Sequence, residues 1–213
     1  AWQEKRNNQE YGIDGAAVKV NERKSWDKLG YTANFPRGGI AYKFPAVEVA
    51  TKLLSITCQV GRTGAVTPVA ELEPILLAGS VVKRATLHNE EEIERLDVRV
   101  GDTVALRKAG DVIPEIFDVF TDLRPKGAKK FSMPTECPEC TSTLVKEMVG
   151  KDVSAAWYCK NGDCPAKHLE ALIHFVSKKG MNIEGLGDRI IEEFRELGLI
   201  TNQASIFKLR KED

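Results

Sequence analysis

The sequence predicts a multi-domain chain, α+β overall, in which a β-rich stretch, a small β-barrel, a four-cysteine zinc module and a helical hairpin follow one another. Three observations carry this. Four cysteines form two close pairs, Cys137-Pro-Glu-Cys140 and Cys159-Lys-Asn-Gly-Asp-Cys164. Residues from about 47 to 122 break at Gly and Pro into short β-prone runs. Two amphipathic helical stretches flank a glycine-bearing turn at Ile183-Glu-Gly-Leu-Gly187.

Composition bounds the answer. The 213 residues are 42% hydrophobic and 29% charged, which describes a soluble globular protein with ample core. No apolar run approaches the roughly 20 residues of a membrane span. The 31 basic residues balance the 31 acidic ones, so the chain is not coated in positive charge, although local basic faces remain open to nucleic acid. With no signal peptide visible and a first residue, Ala1, that is not Met, the chain is expected to begin inside a larger protein of a reducing cytoplasm. Cys58, in Leu53-Leu-Ser-Ile-Thr-Cys58, reads as a buried small hydrophobe.

Residues 11–21 read as a turn entering a buried strand, with Ile13, Val18 and Val20 supplying β-propensity and Gly15 permitting close approach. A second strand spans Gly39–Phe44, after the breaker Pro36-Arg-Gly-Gly39. Each strand carries a lysine among apolar neighbours, Lys19 and Lys43. One such lysine is ordinary on a solvated face, but two beside Asp14-Gly15 suggest a cationic pocket for a phosphate.

Short strands are then expected at 55–60, 65–72, 80–87, 103–108 and 112–121, and an OB-fold is the economical closure for such a series. Glu90-Glu-Glu-Ile-Glu-Arg95 interrupts it as a short exposed helix capped by Asn89, a solvated face rather than a metal site. Gly61-Arg-Thr-Gly64 is a glycine-flanked turn that would present Arg62 and Thr63 outward. With Arg84, Thr86, His88 and Asn89 on a second segment and Arg107-Lys108 on a third, a polar, basic surface is expected. His88 is read as a structural hydrogen-bonder or a DNA contact, not a general base. Asp122-Leu-Arg-Pro-Lys-Gly-Ala-Lys-Lys130 reads as a solvated basic connector.

The cysteine spacing is what tetrahedral zinc requires: each pair sets two thiolates on one tight turn, helped by Pro138 and Asn161-Gly162. Two disulfides are the alternative, but nothing secretory accompanies them. Four thiolates leave no open position for water, so the site is structural. Trp157 and Tyr158, just before Cys159, are expected to cover the metal.

Pro165 marks a helix start, with Leu169, Leu172, Ile173, Phe175 and Val176 on its apolar face and Lys178-Lys-Gly180 at its end. A second helix carries Ile190, Ile191, Phe194 and Leu197, closed by Gly198. The turn between them fits the helix-hairpin-helix pattern, whose Gly185 and Gly187 let backbone N–H groups approach a DNA phosphate without reading sequence. A helical hairpin that merely packs is the alternative, and the neighbouring zinc module and OB-fold favour DNA.

Several of these segments together resemble the bacterial NAD-dependent DNA ligases. Ile13-Asp-Gly-Ala-Ala-Val-Lys-Val-Asn21 resembles their D-G-x-x-x-K strand, and Gly39-Ile-Ala-Tyr-Lys-Phe-Pro-Ala46 their last adenylation motif. The similarity continues through Val60-Gly-Arg-Thr-Gly64, Ala85-Thr-Leu-His-Asn89, Lys108-Ala-Gly-Asp-Val-Ile-Pro114, the cysteines and Gly185-Leu-Gly187. The resemblance implies four regions: 1–46, the end of the adenylation (nucleotidyltransferase) domain; 47–125, an OB-fold; 126–165, a four-cysteine zinc finger; and 166–213, the start of a helix-hairpin-helix domain. It implies a monomeric parent in the bacterial cytoplasm, associated with the nucleoid, that seals nicks in double-stranded DNA during replication and repair. NAD would serve as adenylate donor, with Mg2+ (or Mn2+) and structural Zn2+. Lys19 and Lys43 would contact the AMP phosphate, with Asp14 in the same pocket.

Two departures matter. Pro36-Arg-Gly-Gly39 stands where the family usually has Pro-Arg-Trp-Ala. The nucleophilic lysine of a K-x-D-G motif has no counterpart, because Gly12 precedes Asp14-Gly15 at that spacing, so the chain alone is expected not to self-adenylylate. A non-catalytic DNA clamp and a zinc-ribbon RNA-binding protein are the alternatives.

Overall fold

A computed structural model describes residues 5, 8–11, 13–109, 113–149, 152–210 and 212. Ala1, Gly12 and Gly110-Asp-Val112 of the motifs above lie outside the described residues.

At the N-terminal end, β1 (Gly15–Lys19) and β4 (Gly39–Lys43) form an antiparallel ribbon, with Gly15 opposite Lys43 and Lys19 opposite Gly39. Between them lie α1 (Arg23–Leu29), which ends at Gly30 with φ +67°, and the small pair β2 (Tyr31–Thr32) and β3 (Phe35–Pro36). The expected buried strand is corrected here. Ala16, Val18, Ile40 and Tyr42 share one face, and Val18 and Ile40 are 59% and 71% exposed. The pattern supplies an apolar face, but a two-stranded ribbon has nothing to bury it against among the described residues.

Five strands close a barrel. They are β5 (Glu48–Val60), β6 (Ala65–Leu77), β7 (Ser80–Thr86), β8 (Thr103–Ala109) and β9 (Ile113–Val119). The pairings run β5–β6–β7–β9–β8 and back to β5, antiparallel except for the parallel contact of β7 with β9 at Thr86 and Glu115. This is OB-fold topology. α2 (Glu90–Leu96) joins β7 to β8, and Asn89 caps it by accepting the Glu92 N–H at 2.9 Å. The core stacks Leu53, Leu72, Val104, Leu106 and Ile116, and α2 seals it with Ile93. Each such Leu or Ile contributes ~1.5–3 kcal/mol on burial.

The strands are not all short, as the runs suggested. β5 and β6 each extend over 13 residues, because each bends to serve two partners. Glu48–Lys52 pair with β8, and after a register shift between Leu53 and Ser55 the strand continues against β6. β6 shifts register against β7 between Glu71 and Ile75, around Pro74, which has no N–H to give the ladder.

The cysteine region forms a hairpin, β10 (Leu144–Val149) and β11 (Asp152–Cys159), and β11 joins the barrel sheet by pairing Trp157 with Val66 and Tyr158 with Ala65. The expected solvated connector before it is also corrected. Arg124 donates to Asp102 and Asp97, Arg99 bridges to Lys130, and Phe131 packs against both the barrel core and the cysteine core. A fully buried Asp102 carboxylate demands such partners.

α3 (Pro165–Val176) and α4 (Asp188–Glu196) form the helical hairpin, with a short α5 (Gln203–Ile206) beneath. Their core is Leu172, Val176, Ile191, Ile200 and Ile206. Leu197, expected on the apolar face, is 65% exposed because the helix already ends at Glu196. Cys58 is half-buried rather than buried. It lines a cleft of about 780 Å³ between the barrel and the α3–α4 pair.

Candidate metal centre and nucleic-acid interface

The four cysteines converge until their sulfurs all lie within 4.8 Å of one another. The first knuckle closes through the Cys137 N–H to Ser142 C=O bond at 2.8 Å and the Thr141 N–H to Cys137 C=O bond at 2.9 Å, with Thr141 left-handed at φ +59°. The second turns on Asn161, whose Oδ1 accepts the Asp163 N–H at 2.9 Å. Cys164 then becomes the N-cap of α3, so the second pair ends where the helix begins.

The Sγ–Sγ separations decide between metal and disulfide. They are 4.0 Å for Cys137–Cys164 and 3.5 Å for Cys140–Cys159. A disulfide needs about 2.05 Å, whereas a tetrahedron with Zn–S near 2.3 Å has edges of ~3.8 Å. The spacing fits zinc, and no cysteine is disulfide-bonded. Hydrogen bonds from Ser142 draw the Cys140 thiol down to about 6, while burial pushes Cys159 up to about 12 and also raises Cys164. Buried thiols of this kind become thiolates only beside a cation. Among the described residues this is the one cluster of its type, and the glutamates of α2 are not part of one.

Lys19 and Lys43 stand on the same face of the β1–β4 ribbon, because each lies directly opposite a residue of the other's strand at matching parity. Four residues separate them along the ribbon, ~13 Å at the usual strand rise. Lys43 pairs with Asp14 on the surface. Asp14 thus braces Lys43, a surface contact of at most ~1 kcal/mol. Gly15 is required beside it, since a Cβ there would meet the Tyr42 carbonyl oxygen at 2.5 Å. At Gly38 the Trp26 ring lies 3.2 Å from where a Cβ would stand, so an aromatic from α1 covers the segment that departs from the family pattern.

On the barrel, Arg62 and Thr63 are exposed at the tip of a turn closed by the Gly64 N–H to Gly61 C=O bond at 2.8 Å. Arg62 has no ion-pair partner among the described residues, but the other expected cations are engaged. Arg84 pairs with Glu71 at 2.9 Å, Arg107 with Glu115 at 2.8 Å, and Lys108 reaches Ser80 Oγ at 2.7 Å. His88 lies 3.5 Å from the same Glu115 and adopts φ +59°, its N–H bonded to Thr86 Oγ1. The surface is therefore polar, with Arg84 and Arg107 compensated by carboxylates, while among the described residues Arg62 has no ion-pair partner and Lys108 meets only a neutral hydroxyl.

In the helical hairpin Gly185 takes φ +84°, and Gly187 is the N-cap of α4, with open space where either Cβ would stand. Their backbones face solvent at the helix start, the geometry that admits a phosphate. Nearby, burial raises the Glu170 carboxyl above its ordinary value, with Asp188 and Glu192 adding repulsion.

Sequence reasoning missed the seams. Trp157 does not simply cover the cysteines: its Nε1–H donates to Glu90 Oε2 on α2 at 2.9 Å, and Lys146 reaches that carboxylate at 3.0 Å while lying over the Trp157 ring. Burial tends to raise Glu90, but the Trp157 and Lys146 contacts together hold it below its ordinary value. Gly64 packs directly on Cys159. Neither pairing has a local sequence signal, since each joins segments far apart in the chain.

Comparison with known proteins places this geometry in context. Residues 1–47 match the family model of the NAD-dependent DNA ligase adenylation domain, and residues 50–128 that of the NAD-dependent DNA ligase OB-fold domain. The DNA ligase of Halalkalibacterium halodurans is 52% identical over 213 residues, all of this chain and 31% of that protein. That of Bacillus subtilis is 51% identical over 210 residues, covering 99% of this chain and 31% of its own length. The chain therefore spans about a third of the curated relatives it matches.

Proposed function

We propose, for a chain that belongs to the NAD-dependent DNA ligase family, that it is the nick-gripping portion of an enzyme that seals double-stranded DNA. The observation that carries this reading is the consecutive match to adenylation and OB-fold domains within one chain that is about half identical to DNA ligases along its whole length. The four regions expected from the sequence, 1–46, 47–125, 126–165 and 166–213, are adopted as its working parts.

In this reading Lys19 and Lys43 offset negative charge at the AMP phosphate, with Asp14 orienting Lys43. NAD supplies the adenylate that activates the 5′-phosphate, and Mg2+ or Mn2+ assists as counter-charge. Arg62 and Thr63 grip the duplex backbone, joined by Lys108 and, once DNA phosphates compete with their carboxylate partners, by Arg84, His88 and Arg107. Gly185 and Gly187 offer backbone N–H groups to a further phosphate. Cys137, Cys140, Cys159 and Cys164 hold Zn2+, which supplies a closed cross-link and no chemistry. The enzyme works as a monomer in the cytoplasm, on the nucleoid.

The test is binding of this chain to nicked, 5′-adenylylated duplex, intact duplex and single-stranded RNA across a salt series. Preference for the nicked duplex, with affinity falling steeply with salt, supports the reading. Equal binding to both duplexes reduces it to a generic clamp, and preference for RNA overturns it. Incubated with NAD and Mg2+, the chain should show no AMP adduct by intact mass, because it lacks the K-x-D-G lysine. In the complete protein, Lys43→Ala sealing nicks at the normal rate would remove Lys43 from the chemistry.

A further inference from the structure

We infer that Gly64 mechanically couples the cysteine centre to the Arg62 turn, so that metal occupancy sets how firmly the turn is held. The inference rests on the reading of the cysteines as a zinc centre and of Arg62 as a DNA contact.

The coupling is built from backbone. On one side Gly64 closes the Arg62–Thr63 turn: its N–H donates to Gly61 C=O at 2.8 Å, and the Gly61 N–H donates to Ala65 C=O at 2.9 Å. On the other side the Gly64 carbonyl accepts the N–H of Cys159 at 2.8 Å. One residue thus joins the turn to the main chain of a metal ligand, whose sulfur lies 3.5 Å from that of Cys140. The pairing continues as sheet, Tyr158 with Ala65 and Trp157 with Val66.

Two constraints make position 64 special. Its φ of +87° is left-handed, and a Cβ there would stand 2.5 Å from the Cys159 carbonyl oxygen. That neighbour is main chain, which cannot swing aside as the end of a side chain can. A residue with a Cβ would therefore have to displace either the turn or the ligand. Gly61, in the same turn, meets nothing closer than 3.7 Å and provides the control. Coupling of this kind is reciprocal: whatever the metal does to hold the turn, the turn does to hold the metal.

The first test uses the unsubstituted chain, loaded with Zn2+ and then stripped with a chelator, with amide hydrogen exchange read residue by residue. Stripping should speed exchange at Gly61, Gly64 and Cys159 by about tenfold or more, the scale at which outer-shell partners and metal ligands influence each other. Leu106, across the barrel, should stay protected. Unchanged exchange at Gly61 and Gly64 while Cys137 and Cys140 lose protection overturns the coupling, as does equal loss across the whole barrel.

The reciprocal test compares Gly64→Ala with Gly61→Ala for zinc transfer to a colorimetric chelator. Gly64→Ala should release zinc about tenfold faster or more, and Gly61→Ala at the parent rate. Parent-like release from Gly64→Ala overturns the inference. A chain that takes up no zinc overturns the metal reading itself. Zinc-coupled exchange without any binding to nicked duplex leaves the coupling standing and removes only the DNA role of Arg62.

Discussion

The indole N–H of Trp157 donates to the carboxylate of Glu90 at 2.9 Å, tying the hairpin that carries Cys159 to the helix that seals the barrel. Lys146 completes the contact at 3.0 Å, so one carboxylate receives both an indole and an ammonium. With the sheet running from β6 into β11, barrel and cysteine hairpin share one hydrogen-bonded framework.

Glu90→Gln should lower stability by about 1 kcal/mol, since a charge-assisted hydrogen bond weakens and the carboxylate's residual exposure screens part of it. The pH dependence has a definite sign. A carboxylate held below its ordinary value contributes stability above its unfolded pKa, and loses it as pH falls through the folded pKa. Thermal melts from neutral pH down through the carboxylate range should show a shallower acid decline in Glu90→Gln than in the parent.

Cys164→Ser removes a fully buried thiol of the proposed zinc centre. Zinc content, measured by elemental analysis, should fall from one per chain towards none. Adding a chelator to the parent should lower its melting temperature, while the variant's should not respond.

Asp102→Asn tests the anchored connector. Asp102 is completely buried and accepts the Arg99 N–H at 2.8 Å and Arg124 at 2.9 and 3.0 Å. Removing one member of a buried charge pair costs ~3–5 kcal/mol. Chemical denaturation should register a loss of that order, and Arg124→Ala should show a related loss that is not additive with it.

Arg62→Ala and Arg107→Ala separate an unpaired cation from a paired one. Arg62→Ala should weaken binding to nicked duplex and reduce the salt slope by about one phosphate contact. Arg107 must first give up Glu115, so its removal should change affinity less. A titration series at several salt concentrations distinguishes them.

Much of the site was legible because its signals are local. A cysteine pair on a tight turn, a glycine pair around Arg62 and a glycine-bearing turn between apolar helical faces each declare themselves within a few residues. Lys19 and Lys43 were legible as a pair, and strand parity puts them on one face. What escaped was any property set by a distant partner. Arg84 and Arg107 read as free cations, yet each meets a carboxylate from another strand. Residues 122–130 read as a loose connector because Arg124 gives no hint that Asp97 and Asp102 await it. Trp157 packs against the cysteine cluster as its position suggested, but nothing local announced the partner of its indole N–H on α2.

The sequence by itself determined the order of the parts, the OB-fold and the two cysteine pairs that converge, because spacing, periodicity and turn chemistry act over a few residues. Tertiary structure alone decided which cations remain available, how the cysteine hairpin extends the barrel sheet, and why position 64 must be glycine. Those outcomes depend on hydrogen bonds and close contacts between segments far apart in the chain, and such contacts exist only once the backbone has closed on itself.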